Sequence, residues 1–264
     1  MEQRILICED SLTGIFTGIY EAYGTAHRER LALTDISLQI GEEADAWLFA
    51  SYRKIVPDEA AAEKVIRTLK KRFGWDDYEA LCMALTAPDR EKAQAVYRTV
   101  AWGLKNAAKG HLLDHLTDPY VHKVLTLSRT ASCENHHLMG FLRFKELEGR
   151  VLYANMQPKN DILPFLAEHF ADRLPGENFL IRDEGRNLFA VHPAGKPWFL
   201  LRAAKEEILP AEDAYETAGE EAYYQELFRQ FCHTISIKDR ENLKLQQNLL
   251  PLRFRSFMME FTEN

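Results

Sequence analysis

The chain has 264 residues, with 33 lysines and arginines against 40 aspartates and glutamates, for a formal charge of -7. Hydrophobic residues make up 46% and charged residues 28%, which excludes a disordered chain. No window approaches the ~18 apolar residues of a bilayer span, and the start MEQRILICEDS lacks the basic flank and apolar core of a signal peptide, so a cytoplasmic protein without membrane contact is expected.

The acidic balance constrains partners. Phosphate contacts dominate non-specific DNA affinity, so any nucleic-acid contact must come from a local basic surface. Charge is uneven along the chain: 205–226 is strongly acidic, while 98–150 and 238–255 are mildly basic. The acidic stretch reads as a solvated connector. Cys8, Cys82, Cys133 and Cys232 form no C-x-x-C pair, which speaks against a zinc ribbon, a thioredoxin motif and a cysteine-ligated cluster.

Residues 4–8 (RILIC) suit a short buried strand. A helix follows, capped by Ser11, with Leu12, Ile15, Phe16, Ile19, Tyr20 and Tyr23 at helical spacing and Gly24 as its stop. Residues 33–40 read as a strand. Helices are predicted over 42–55, 58–73 and 76–85, the last two separated by Gly74. The strongest pattern spans 87–109, where Ala93, Val96, Tyr97, Val100, Leu104 and Ala108 form one stripe. Thr86 with Asp89 resembles a capping box, and Gly110 ends the helix. Another helix starts at Asp118-Pro119 and runs to about Cys133.

The texture then changes. GFLRF at 140–144 and RVLYANM at 150–156 read as a hairpin turning at Gly149. A helix over 161–173 and strands over 178–183, 187–192 and 197–202 complete a β-β-α-β-β-β order, which short connections make antiparallel. Helices over 219–235, 238–249 and 251–260 close the chain. The expected fold class is α+β. It comprises a mostly helical region with one or two short strands (1–137), an antiparallel sheet with one helix (138–204), and an acidic connector with C-terminal helices packing on the rest (205–264).

Three constellations carry possible chemistry. His111, Asp114, His115, Asp118 and His122 crowd together, and on a helix His111 and His115 would share a face as metal ligands do. Gly110 and Pro119 argue instead for a connection with surface polar residues. Glu134 and His136 stand at an expected helix end, placed for acid–base work or for stabilising the helix dipole. Arg143, Arg173, Arg186, Arg240 and Arg253 are scattered guanidinium groups suited to phosphate or carboxylate recognition. For Arg173 a structural salt bridge is favoured, with Asp172 or Asp183 as partner. There is no G-x-G-x-x-G, P-loop, G-x-S-x-G or H-E-x-x-H, and no cofactor is expected.

The segment from Glu134 to Leu174 resembles the uncharacterised domain attached to some uracil-DNA-glycosylase-like proteins. Glu134, His136, Gly140, Phe141, Arg143, Phe144, Pro158, Phe170 and Arg173 carry the match. The free-standing branch of that family resembles the whole chain. Its N-terminal strand–turn–helix fits 5–23, with Glu9-Asp10 in place of the usual Asp-Gly. Its later elements fit Ile181, Asp183 and Arg186, then Ile237, Arg240, Asn242, Pro251 and Arg253. The resemblance implies a DNA-metabolism protein working beside a radical S-adenosylmethionine enzyme of DNA modification or repair. It carries over no catalytic residue.

The leading expectation is an accessory protein that binds single-stranded or locally opened DNA for that partner. Arg143, Arg186, Arg240, Lys244 and Arg253 would meet the strand, with Trp198 or Phe254 as stacking platforms and Arg173, Asp183 and Asn242 in support. The alternatives are a nucleic-acid-processing enzyme using Glu134 and His136, and a scaffold that binds the partner through the acidic segment without touching nucleic acid.

Overall fold

A computed structural model describes residues 3–41, 49–106, 111–202, 219–235 and 242–261. The fold is α+β. The chain divides into two compact units, Met1–Ser132 and Cys133–Asn264.

The first unit is built on a three-stranded parallel sheet of order β2-β1-β3, formed by β1 (Gln3–Cys8), β2 (Ile36–Ile40) and β3 (Ala50–Lys54). β1 is central, and Ile5, Leu6 and Cys8 are all buried, as an apolar run with both faces covered requires. Helix α1 (Leu12–Glu29) follows, with the Ser11 hydroxyl accepting from the Gly14 amide at 3.0 Å. A Cβ at Gly18 would lie 2.2 Å from Cys8 Sγ, so glycine there is what lets α1 lie against β1. Gly24 does not stop this helix. The chain leaves at Arg30, in the left-handed conformation with φ 55°, and α1 continues through the buried Thr25.

Helices α2 (Glu59–Phe73) and α3 (Trp75–Leu85) meet at Gly74, whose φ of 90° makes the corner. Helix α4 (Lys92–Asn106) buries the predicted Ala93, Val96, Tyr97 and Val100. It starts later than expected. Thr86 Oγ1 donates back to the Met83 carbonyl, and Asp89 accepts from the Glu91 amide, so the box closes one helix before the next begins. The helix predicted over 42–55 is overturned at its C-terminal end. Ala50–Lys54 is a strand, because pairing with β1 (Ile5 opposite Tyr52) outweighs the helical pattern; residues 42–48 lie outside the described set.

Helix α5 (Pro119–Phe141) runs eight residues past the predicted end, so ENHHLMGF is helical and GFLRF is not a strand. The second unit's sheet has the order β4-β5-β6-β7-β8, from β4 (Lys145–Leu147), β5 (Val151–Met156), β6 (Asn178–Asp183), β7 (Leu188–His192) and β8 (Phe199–Arg202). The hairpin turn contains Gly149 at φ 85°. Three pairs are antiparallel, as expected. β5 and β6 are parallel, because helix α6 (Leu163–Arg173) supplies a crossover between them. Leu163, Leu166, Ala167 and Phe170 of α6 are buried, and Phe144 sets its ring edge-on to Phe170 and Phe179. Helices α7 (Glu221–Ile235), α8 (Leu243–Leu249) and α9 (Leu252–Arg255) complete the unit.

Candidate functional site

The residues that carried the family resemblance converge in the second unit on one turn, Pro158-Lys159-Asn160-Asp161, between β5 and α6. Glu134 reaches it from the last turns of α5. One carboxylate oxygen accepts from the Lys159 amide at 3.0 Å and the other from the Asn160 amide at 2.8 Å and the Asn160 side-chain NH2 at 2.6 Å. Arg253 of α9 completes the shell, with Nη2 3.0 Å from Glu134 Oε1. Glu134 is 2% exposed. A buried carboxylate is stable only when its oxygens are occupied in this way.

Arg186 holds the same turn through its carbonyls. Nη1 donates to Pro158 O at 3.2 Å and to Asp183 Oδ2 at 2.8 Å, and Nη2 donates to Lys159 O at 2.7 Å. Lys159 thus has its amide bound by an anion and its carbonyl by a cation, while its own side chain is exposed. Burial raises the Asp183 carboxyl above its ordinary 3.8, against the lowering effect of Arg186. Gly185 and the Asp183 carboxylate, which also accepts from the Arg186 amide, form the tight turn that aims the guanidinium.

The same arrangement recurs at Arg143. Its Nε and Nη2 donate to Glu260 Oε1 at 3.2 and 2.7 Å, its Nη1 donates to Gly140 O, and its guanidinium lies over the Phe228 ring. In each of the three pairs the carboxylate is the inner partner. Relative exposures of cation and anion are 38% and 1% for Arg253 and Glu134, 26% and 0% for Arg186 and Asp183, and 24% and 11% for Arg143 and Glu260.

Several sequence expectations change here. Glu134 and His136 do not form a dyad. They lie two residues apart on a helix, which turns them to different sides; Glu134 is buried and fully engaged, and His136 is exposed. The histidine near Glu134's partners is His137, whose ring sits 5.5 Å from Phe141 and 5.8 Å from Phe254, with Cys133 Sγ at 4.0 Å. Burial, then the neighbouring His136 and Arg253 charges, lower its pKa below 6.5. Phe254 is buried at 5% against His137 and Phe141, so it is a core residue and not a stacking platform. Trp198 is half-buried.

Asp183 takes Arg186 as its partner, not Arg173. Arg173 is exposed and makes no ion pair among the described residues. Asn242 caps α8, its Oδ1 accepting from the Leu245 amide at 3.0 Å. Lys244 is exposed on α8. Ile237, Arg240 and most of the acidic segment (203–218) lie outside the described residues. His111 and His115 flank a 3-10 turn (Leu112–Asp114), which removes the shared helical face that the metal reading required. His122 is exposed on α5. Among the described residues no group of three or more donors could hold a metal ion. Sequence reading missed Asn160, Lys159 and Glu260, since each joins its partner across 25 to 117 residues. The Pro-Lys-Asn-Asp string was the one available hint of a turn.

Fold and site together define an α+β chain whose polar signature builds a clamped turn rather than a catalytic pair. The chain belongs to the DUF4130 family: the model of that domain of unknown function, which is associated with uracil-DNA glycosylases, matches residues 90–260. No curated protein matches the chain. Among the described residues no helix is long and apolar enough to cross a membrane.

Proposed function

We propose that this protein is an accessory factor of DNA metabolism that binds a single-stranded or locally opened strand beside a radical S-adenosylmethionine enzyme. One observation supports this reading above the others. Along the clamped turn the anions point inward and the cations outward, with Lys159, Arg186 and Arg253 forming the exposed side. An acidic chain thereby acquires a local basic surface. Its charges are fixed by Glu134, Asp183 and the backbone of the turn, so a strand orders few side chains on binding. The pairing of Arg143, Arg186 and Arg253 narrows their part to positioning and partial charge. Lys159 and Lys244 become the cations that can move freely onto phosphate.

The test is fluorescence anisotropy with a labelled single strand at low and high salt. Binding at low salt that weakens as salt rises is expected, and Lys159→Glu should reduce affinity several-fold with the circular dichroism unchanged. Absence of binding at low salt ends this reading.

A second reading, docking of the partner protein, draws on α7. Tyr223, Leu227, Phe231 and Ile235 recur at helical spacing and are all exposed. Leu227→Asp should then abolish a complex with the purified partner enzyme while leaving strand binding intact.

A further inference from the structure

The first unit contains a cavity of about 340 Å³ that plays no part in the reading above. That volume lies within the range of small-molecule sites. Its position follows from the sheet. β2 is an edge strand, and its outer side is covered by α4 only in part. Gln94 of α4 reaches across, and its Oε1 accepts from the Leu38 amide at 2.8 Å. The rest of the gap stays open toward the first turns of α5.

The lining has an unusual composition. Ile5 and Ala95 provide an apolar floor. Around it stand three carboxamides, Gln3, Gln39 and Gln94, with Ser37, which accepts from Gln3 Nε2 at 3.1 Å. Two polar atoms in this lining are buried without a partner among the described residues: the Gln39 carbonyl oxygen and the Arg98 Nε. Arg98 is otherwise fixed, its two terminal nitrogens donating to Leu33 O and Thr34 O at 2.9 Å. A buried acceptor and a buried donor left open in one cavity call for a ligand carrying both functions. Arg90 adds an exposed guanidinium with no ion pair among the described residues, and Tyr120 an exposed ring at the rim. The ammonium of Lys123 is already neutralised by Asp89 and Glu91.

We propose that this cavity binds a nucleobase carrying a phosphate. The heterocycle would lie on the apolar floor and present its donor–acceptor edge to Gln39 and Arg98, as carboxamides read base edges elsewhere. Arg90 would take the phosphate. The ligand is either a free nucleotide or a base turned out of a strand; the two share this chemistry. The G-x-G-x-x-G and P-loop signatures are absent because the site grips the base by side chains and does not cradle phosphates on a glycine loop.

Isothermal titration calorimetry of the full chain with AMP, GMP, CMP and UMP, with inorganic phosphate as the control, tests it. At least one monophosphate should bind with a Kd of about 1 mM or tighter and inorganic phosphate far more weakly. Gln39→Leu should weaken that binding at least about tenfold, since it deletes a polar partner without enlarging the site. Arg90→Ala, at an exposed position where folding is not at stake, should weaken the monophosphate and leave the nucleoside unaffected. Eight-nucleotide single strands supply the other arm: loss of their binding in Gln39→Leu assigns the site to a strand base, while binding of monophosphates alone assigns it to free nucleotide. Failure of all four monophosphates and all strands at millimolar concentration, or affinities unchanged in both variants, overturns the inference. Strands that bind independently of Gln39 but lose affinity in Lys159→Glu overturn it too, and leave the basic surface of the second unit standing.

Discussion

Replacing Glu134 by alanine should be among the most damaging single changes in the second unit. The carboxylate is 2% exposed and holds the amides of Lys159 and Asn160, the Asn160 side chain and Arg253. Its removal leaves two backbone N–H groups beneath the surface without acceptors, at about 1–3 kcal/mol each. Arg253 also loses its anion, but it is more than one-third exposed and water compensates for much of that. A total of about 3–5 kcal/mol follows, in line with breaking one side of a buried pair. Glu134→Gln keeps one acceptor oxygen but turns an NH2 toward donors, and should cost roughly half as much. His136→Ala, at an exposed position, should fall within about 0.5 kcal/mol of the parent. Urea denaturation gives these differences, and hydrogen exchange at the Lys159 and Asn160 amides localises them. A Glu134→Ala protein as stable as the parent, with protection at both amides intact, would refute the clamp. An equal loss in His136→Ala would refute the division of roles between the two residues.

Two pH effects of opposite sign should be separable. Asp183 has a raised pKa in the folded state, so the fold binds more protons than the unfolded chain just above 3.8; the cost of holding it ionised is relieved as pH falls through its folded value, and Asp183→Asn should remove that gain from urea midpoints taken across mild acid. His137 has a lowered pKa, so the unfolded chain binds more protons below 6.5; its contribution is full above 6.5 and is lost on acidification through the folded value, and His137→Gln should flatten that part of the profile. At the α1–β1 contact, Gly18→Ala should cost about 1–3 kcal/mol by overpacking against Cys8 Sγ, and Cys8→Ala in the same chain should recover part of the loss, because the next atom, Cys8 Cβ, lies 3.7 Å from the new methyl group. Additive effects in thermal denaturation would contradict that contact.

Local chemistry made much of the fold legible. The run RILIC, the Ser11 cap, the Gly74 corner and the apolar stripe of α4 depend on neighbours within one or two turns, and each stands where the residues place it. The misreadings share a different cause. Ala50–Lys54 became a strand because β1 lay open beside it, and β5 runs parallel to β6 because α6 fills the connection. Both are decisions of pairing between segments, to which a short window is blind.

The candidate site divides in the same way. The sequence marked Glu134, Asp183, Arg186 and Arg253 as residues of consequence, since polar groups amid apolar runs must be satisfied somewhere. Only the folded chain decided where: Glu134 on amides 25 and 26 residues away, Arg143 on a carboxylate 117 residues away, and Gln39 at the wall of a cavity completed by α4 and α5. Residue type fixes which hydrogen bonds a side chain can make, and position in three dimensions selects its partner. A carboxylate that reads as a catalytic base from its neighbours in sequence is, in space, the anchor of a turn.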